Sequence, residues 1–230
     1  MSGRAYRLVV AGVAASLAVV LVSCGSSGTS SQTARGPATN GLENQAAAQV
    51  AQAAHVALKT ATSVHVRGTF FTDRRTEKFN LRYKSDSTSG TFTVNGVPIQ
   101  VITAGDKAYL KADKRGWQAM GNPDTTGLPL NQWVTAGPAR QMLTPFSLAA
   151  LASELTAEES AHGGGGTVTQ SMLAGHKVVV VTYPDGSKLY VANVGAAYPL
   201  RFDDTGAVGS RTFSQYGAAF HITAPPRAGH

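Results

Sequence analysis

The sequence predicts an α+β domain: a curved antiparallel β-sheet, a half-barrel of about ten strands, with two main helices on its concave face. Three observations carry this. Apolar residues recur at every second position over two long stretches, one from Ser63 to Trp117 and one from Thr167 to Tyr216. A stretch with apolar spacings of three and four precedes each of them. Short turns containing Gly or Asn separate the alternating runs, which is the connection chemistry of antiparallel neighbours. An open sheet of that size curls, and one helix ahead of each half packs onto the hollow side as a second layer.

The chain begins with a targeting signal. Arg4 and Arg7 precede an apolar segment, Leu8 to Val20, and no acidic residue occurs before Glu43. The apolar segment is short for a membrane span and suits a secretory signal. It closes on Leu21-Val22-Ser23-Cys24, and Cys24 is the only cysteine in 230 residues. Here the chain resembles a bacterial lipoprotein precursor, whose lipobox pattern Leu21, Val22 and Ser23 match. The resemblance implies cleavage before Cys24, acylation of its thiol by groups such as palmitate, and anchoring on the extracytoplasmic face of the plasma membrane. An ordinary signal peptide with an incidental cysteine is the alternative. With its cysteine consumed, the mature chain has no disulfide and no thiolate. Loss of Arg4 and Arg7 lowers the net charge from +7 by two, to +5. That excess suits anionic headgroups or wall polymers, although a solvated surface accounts for it equally well.

The domain map is residues 1–23 as signal, 24–41 as flexible tether, 42–224 as one folded domain, and 225–230 as a loose tail. The tether is rich in Gly, Ser and Thr and has too little apolar surface to fold. Asn40 and Glu43 suggest a capping-box variant opening the first helix. Its apolar face is read as Leu42, Ala46, Val50, Ala53, Ala54, Ala57 and Ala61, with His55 on the helix surface. Alternation then gives strands over Val64–Phe71, Phe79–Lys84, Phe92–Val94, Val97–Val101 and Lys107–Ala112, with a further strand opening at Trp117. Asn95-Gly96 is the strongest hairpin signal. Residues 121–137 form a loop around Trp133. Thr144-Pro145 reads as the start of the second helix, with Phe146, Ala149, Ala150, Leu151 and Leu155 on its apolar face and Gly163–Gly166 ending it. Strands resume over Thr167–Leu173, His176–Tyr183, Ser187–Asn193, Tyr198–Asp203 and Ala207–Tyr216, and a short one is expected at Ala219–Thr223. Val178–Val181 is continuously apolar, so that strand should be covered on both faces.

Certain stretches carry a family likeness: the Ala-rich helix entering Ser63-Val64-His65-Val66, the Asp106–Lys111 strand followed by Gly116-Trp117, and Phe213-Ser214-Gln215-Tyr216-Gly217 ahead of Pro225. Over roughly Leu42 to Pro225 the chain resembles the LolA-like lipoprotein carriers, specifically the mycobacterial LppX/LprG type. The resemblance implies helices over the concave face of a half-barrel and an apolar cavity for an acylated lipid or glycolipid. A diacyl lipid needs such shelter in water, since each exposed methylene costs about 0.8 kcal/mol. Strand alternation nominates Val66, Phe70, Phe79, Leu81, Phe92, Val94, Ile99 and Val101 as its lining. The same residues would equally form a filled core.

Catalytic readings find little support. His162 and the four glycines after it resemble an esterase oxyanion loop, but the sequence has no G-x-S-x-G elbow. The six histidines lack metal-binding spacing. Glu158-Glu159 and Asp203-Asp204 are adjacent pairs that suit a solvated surface rather than carboxylates facing across a cleft. Arg74-Arg75 suits a hairpin turn rather than nucleic acid. The expectation is therefore a non-enzymatic protein with no cofactor and no nucleic-acid partner. Its partners would be the membrane through Cys24, a lipid ligand, and an exporter or cell-wall polymer. The alternative is an interaction lipoprotein with a filled core.

Overall fold

The computed structural model describes residues 37–72, 75–137, 147–161, 165–205 and 209–226, with Thr72 and 156–161 by backbone alone. Leu21, Val22, Ser23 and Cys24 lie outside the described residues, as do Arg74, Thr144, Pro145, Phe146, Gly163 and Ala207. Pro37–His230 forms one unit of its own.

Among the described residues, alternation becomes one sheet of eleven strands. These are β1 (Ser63–Thr72), β2 (Arg75–Lys84), β3 (Ser87–Val94), β4 (Val97–Ala104), β5 (Lys107–Lys111), β6 (Val134–Thr135), β7 (Thr167–Leu173), β8 (His176–Thr182), β9 (Lys188–Ala192), β10 (Pro199–Asp203) and β11 (Ser210–Ser214). The order across the sheet is β6-β5-β4-β3-β2-β1-β11-β10-β9-β8-β7. Each half is a meander, and the halves join where β1 pairs antiparallel with β11. The strand beyond the expected ten is β6, two residues inside the loop around Trp133. Val178 to Val181 are all buried, as a strand covered on both faces requires.

Two glycines sit where neighbouring backbone comes too close for a side chain. A Cβ on Gly68 would lie 2.1 Å from the Ser210 carbonyl oxygen, and one on Gly90 would lie 2.1 Å from that of Asn80. Backbones this close exclude any side chain, as at the tight bends of curved sheets.

Among the described residues three α-helices accompany the sheet: α1 (Ala47–Thr60), α2 (Lys114–Ala119) and α3 (Leu148–Ala161). The buried stripe of α1 is Ala47, Val50, Ala51, Ala54 and Leu58. It is rotated from the expected stripe, because in an alanine-rich helix the larger Val50 and Leu58 decide which side turns inward. The stripe is thin, so α1 lies close along β8, β9 and β10. Helix α3 packs on α1 and buries Leu148, Leu151, Ala152 and Leu155. His55 is not merely a surface residue: its Nδ1–H donates to the Ala152 carbonyl at 2.9 Å, joining the two helices.

Four further expectations change. Asn40 does not cap α1; its Oδ1 accepts from the Leu42 N–H at 3.4 Å, and its amide donates to the Ala192 and Gly195 carbonyls at 3.0 and 3.1 Å, tying the incoming chain to the end of β9. A 3-10 turn, Leu42–Asn44, follows, and α1 starts only at Ala47, where Gln49 Oε1 accepts from the Ala46 N–H. Trp117 opens no strand. Asp113 Oδ1 accepts from the Gly116 N–H at 2.7 Å, an N-cap that turns the segment into α2. Ser147 Oγ accepts from the Ala150 N–H at the head of α3. Finally, 219–223 is not a strand. β11 and its neighbour β1 are already paired on both sides, so the segment that follows β11 finds no open ladder beside them. Instead the chain leaves β11 through positive φ at Gln215 and Gly217.

Candidate functional site

The register assembles the inner face, the one under the helices, in rows that run across the strands. One row reads Phe213, Val66, Leu81, Gly90, Val101, Leu110 and Val134 from β11 to β6. The next contains Arg211, Gly68, Phe79, Phe92 and Ile99. Beyond it stand Phe70 on β1 and the pair Val94 and Val97 across the β3–β4 turn. The nominated residues Val66, Phe70, Phe79, Leu81, Phe92, Val94, Ile99 and Val101 therefore share one face.

They do not share one environment. Val66, Leu81, Ile99 and Val101 are wholly buried in the continuous core. Ile99 is closed off by α2, whose Gly116 approaches so near that a Cβ there would sit 2.8 Å from Ile99 Cδ1. Phe79, Phe92 and Val94 are half-buried against that core, and Phe70 is half-buried too. The Phe70 and Phe79 rings lie 6.2 Å apart, tilted by 38°. The inner face is thus closed toward Ser63 and partly open toward the β1–β2 hairpin.

A polar clamp holds the open end together. Glu77 is 2% exposed, and its carboxylate accepts from the Thr93 hydroxyl and from the Gly96 N–H at 3.1 Å. Arg75 Nη1 donates to Asn95 Oδ1 at 3.1 Å, and the Asn95 amide donates to the Ala119 carbonyl at 3.3 Å. The β1–β2 hairpin, the β3–β4 turn and the end of α2 therefore form one rim, with half-buried Met120 on it. Alternation had not marked Glu77 or Asn95, because their role depends on a turn two strands away. On the other side of the hairpin Phe71 is 54% exposed, which its place next to inward Phe70 made readable.

Toward the middle of the inner face, Arg211 Nη1 donates to Glu154 Oε2 of α3 at 3.1 Å, where Gly68 leaves room across the ladder. Tyr83 lies near this pair. Burial, and next the Glu154 carboxylate, push its phenol well above the ordinary tyrosine range, with the Arg211 cation opposing.

Open depressions also mark the described surface. One of about 590 Å³ follows the exposed side of α1 past Ala53, Val56 and Ala197. One of about 520 Å³ runs across β1, β2, β3 and β11 between Arg67, Lys78 and Thr212, and its lining includes Gly68 and the nominated Phe79 and Phe92. Another, of about 400 Å³, is framed by Leu173, Leu200 and Tyr216. Among the described residues no cluster of His, Cys, Asp or Glu could hold a metal, and no helix is long and apolar enough to cross a membrane.

No family model matches the chain, and no curated protein sequence does. Solved structures do. LprF from Mycobacterium bovis superposes with a TM-score of 0.53 at 17% identity, covering 80% of this chain and 97% of LprF. The lipoprotein LppX from Mycobacterium tuberculosis gives 0.48 at 14% identity, covering 77% of this chain and 98% of LppX. A LolA superfamily protein from Nitrosomonas europaea gives 0.30 at 10% identity, covering 79% and 96%. The superposition on LprF over 80% of this chain and 97% of that one shows that the chain shares the fold of LprF, a single antiparallel sheet with helices packed on it.

Proposed function

We propose that the protein is a membrane-anchored, extracytoplasmic lipoprotein that binds an acylated lipid or glycolipid between its sheet and helices, without catalysing a reaction. Cys24 carries the anchor in this reading, and Leu21, Val22 and Ser23 direct its processing. The observation that carries the reading is the graded inner face. An apolar, aromatic row at Phe70, Phe79, Phe92 and Val94 stays partly open beside rows that are fully closed. Acyl chains entering there would meet aromatic and branched side chains, with the clamped Glu77 at the rim and the paired Arg211 and Glu154 farther in. The fold shared with LprF supports the same reading.

One observation favours a second reading. Val66, Leu81, Ile99 and Val101 sit in a continuous core with no exposure, which suits an interaction lipoprotein whose interior is filled. The test is direct. Residues 25–230 are secreted from an actinobacterial host, purified without detergent, and weighed by native mass spectrometry beside their organic extract. A stoichiometric acylated lipid is the expected result. A protein that emerges empty and takes up no added lipid would leave the second reading.

A further inference from the structure

Strand alternation gives the tip of the β1–β2 hairpin an aromatic ring on each side: Phe70 inward and Phe71, 54% exposed, outward. Leu130, 39% exposed, lies at the same end of the sheet, because the neighbouring Asn131 N–H donates to the Ala112 carbonyl just ahead of α2. The charges there are lopsided. Arg75, Lys78, Lys114 and Arg115 are exposed and Lys111 is half-exposed. Among the described residues at that end, Glu77 is buried in its clamp, and the exposed Asp113 and Asp124 accept from the Gly116 and Thr126 N–H groups. Farther along the same end, beyond β11, the balance reverses. Asp185, Asp203 and Asp204 gather at the β8–β9 and β10–β11 turns, with Asp203 paired to Arg201 at 2.7 Å.

We propose that the protein seats the β1–β5 half of this end on an anionic lipid bilayer, inserting Phe71 at the headgroup boundary with the flanking cations on lipid phosphates. The inference rests on the lipid-binding reading for its purpose, since the docked pose turns the open row of Phe70, Phe79, Phe92 and Val94 toward the lipid. The chemistry of this end selects the partner. An exposed aromatic ringed by cations fits a surface that is apolar beneath and anionic above. The acidic turns beyond β11 would be repelled, so the sheet leans on its basic half.

The probe is a vesicle of phosphatidylcholine with one-third phosphatidylglycerol, against vesicles of phosphatidylcholine alone, sedimented with residues 25–230. That chain contains the whole Pro37–His230 unit. Binding to the anionic vesicles and its loss at high salt are expected. Each cation near the surface strengthens partitioning by about fivefold, so K78E with K114E should lower it by at least tenfold. F71D should abolish it, F71S should weaken it, and K188E, on β9 away from the hairpin, should leave it unchanged. Circular dichroism melts check that each variant folds. Equal binding to both vesicle types, insensitivity to F71D and F71S, or equal losses from K188E and the K78E/K114E pair would overturn the proposal. The lipid extract of each sample separates the two ideas. A wild-type protein loaded with lipid that ignores vesicles refutes docking alone, and an empty one that binds through Phe71 supports docking while refuting the carrier.

Discussion

Leu81→Ala tests whether the closed rows are packed or merely collapsed over space. Leu81 has no exposure, and its inner-face neighbours across the two ladders are Val66 and Gly90. The substitution removes three methyl-sized groups, about 2.4 kcal/mol of transfer free energy at ~0.8 each. Gly90 has no side chain to swing into the gap, and a Cβ there would strike the Asn80 backbone. Most of the ~80 Å³ vacated should therefore persist, adding about 2 kcal/mol at ~24 cal/mol per Å³. The expected loss is about 4 kcal/mol, read by urea unfolding of residues 25–230. It corresponds to a Tm lower by about 8–16 °C for a domain of this size. Val94→Ala, at the half-buried end, should cost about 1 kcal/mol or less. If Leu81→Ala cost under about 1.5 kcal/mol, the row would not be close-packed, and the reasoning that divides the inner face into closed and open parts would fail.

Other expectations follow from single contacts. Gly68→Ala must move the Ser210 backbone or the Phe79 ring, which would lie 2.1 and 3.0 Å from the new Cβ, so it should cost about 1–3 kcal/mol by urea unfolding. Asp113→Ala removes the N-cap of α2 and should cost about 0.5–2 kcal/mol, with a shift in the fluorescence of Trp117, which α2 carries. Tyr83 gives a pH dependence with a definite sign. Its phenol is raised in the fold and titrates near 10 when unfolded, so the folded state holds its proton where the unfolded state has lost it. That contribution is complete below pH about 10 and declines as pH rises further. Tyr83→Phe should flatten the alkaline fall in Tm, and an unchanged profile would contradict the assignment.

The legible parts of the fold were those written in local periods. Val64–Phe71 and Phe79–Tyr83 alternate cleanly because one side of each strand is apolar, and register and alternation agree on which residues share the inner face. Val178–Val181 announced burial on both sides because no polar residue interrupts it. What failed were signals that compete. Arg115-Gly116 resembles a turn, but Asp113 three positions before Gly116 makes a helix cap, and the cap prevails. Asn40 Oδ1 reaches only the Leu42 N–H of the 3-10 turn, at 3.4 Å, while its amide N–H groups go to carbonyls about 150 residues away, at Ala192 and Gly195. At the candidate site, alternation could assign Ile99 and Val94 to the same face but not their depth. That difference comes from α2, whose Gly116 lies on Ile99 and leaves Val94 at the rim.

The placing of the helices gives a physical reason for the graded face. Helix α1 presents mostly alanine and lies close on β8, β9 and β10, so that side of the interior is thin. Helix α3 presents leucines, packs on α1, and reaches the sheet with a long Glu154 that meets Arg211 on β11. Its side chain is 44% exposed against 10% for Arg211, so water can replace the carboxylate more readily than it can reach the guanidinium. Separating α3 from the sheet would therefore be costly mainly on the Arg211 side, where a largely buried cation would lose an acceptor. The cheaper place for the interior to widen is the hairpin end, where Phe70, Phe79, Phe92 and Val94 already meet water. There the Glu77 and Asn95 contacts tie rim to rim without crossing to α1. On the proposed lipid-binding function, an acyl chain would enter from the rim and stop at the closed row of Val66, Leu81 and Val101.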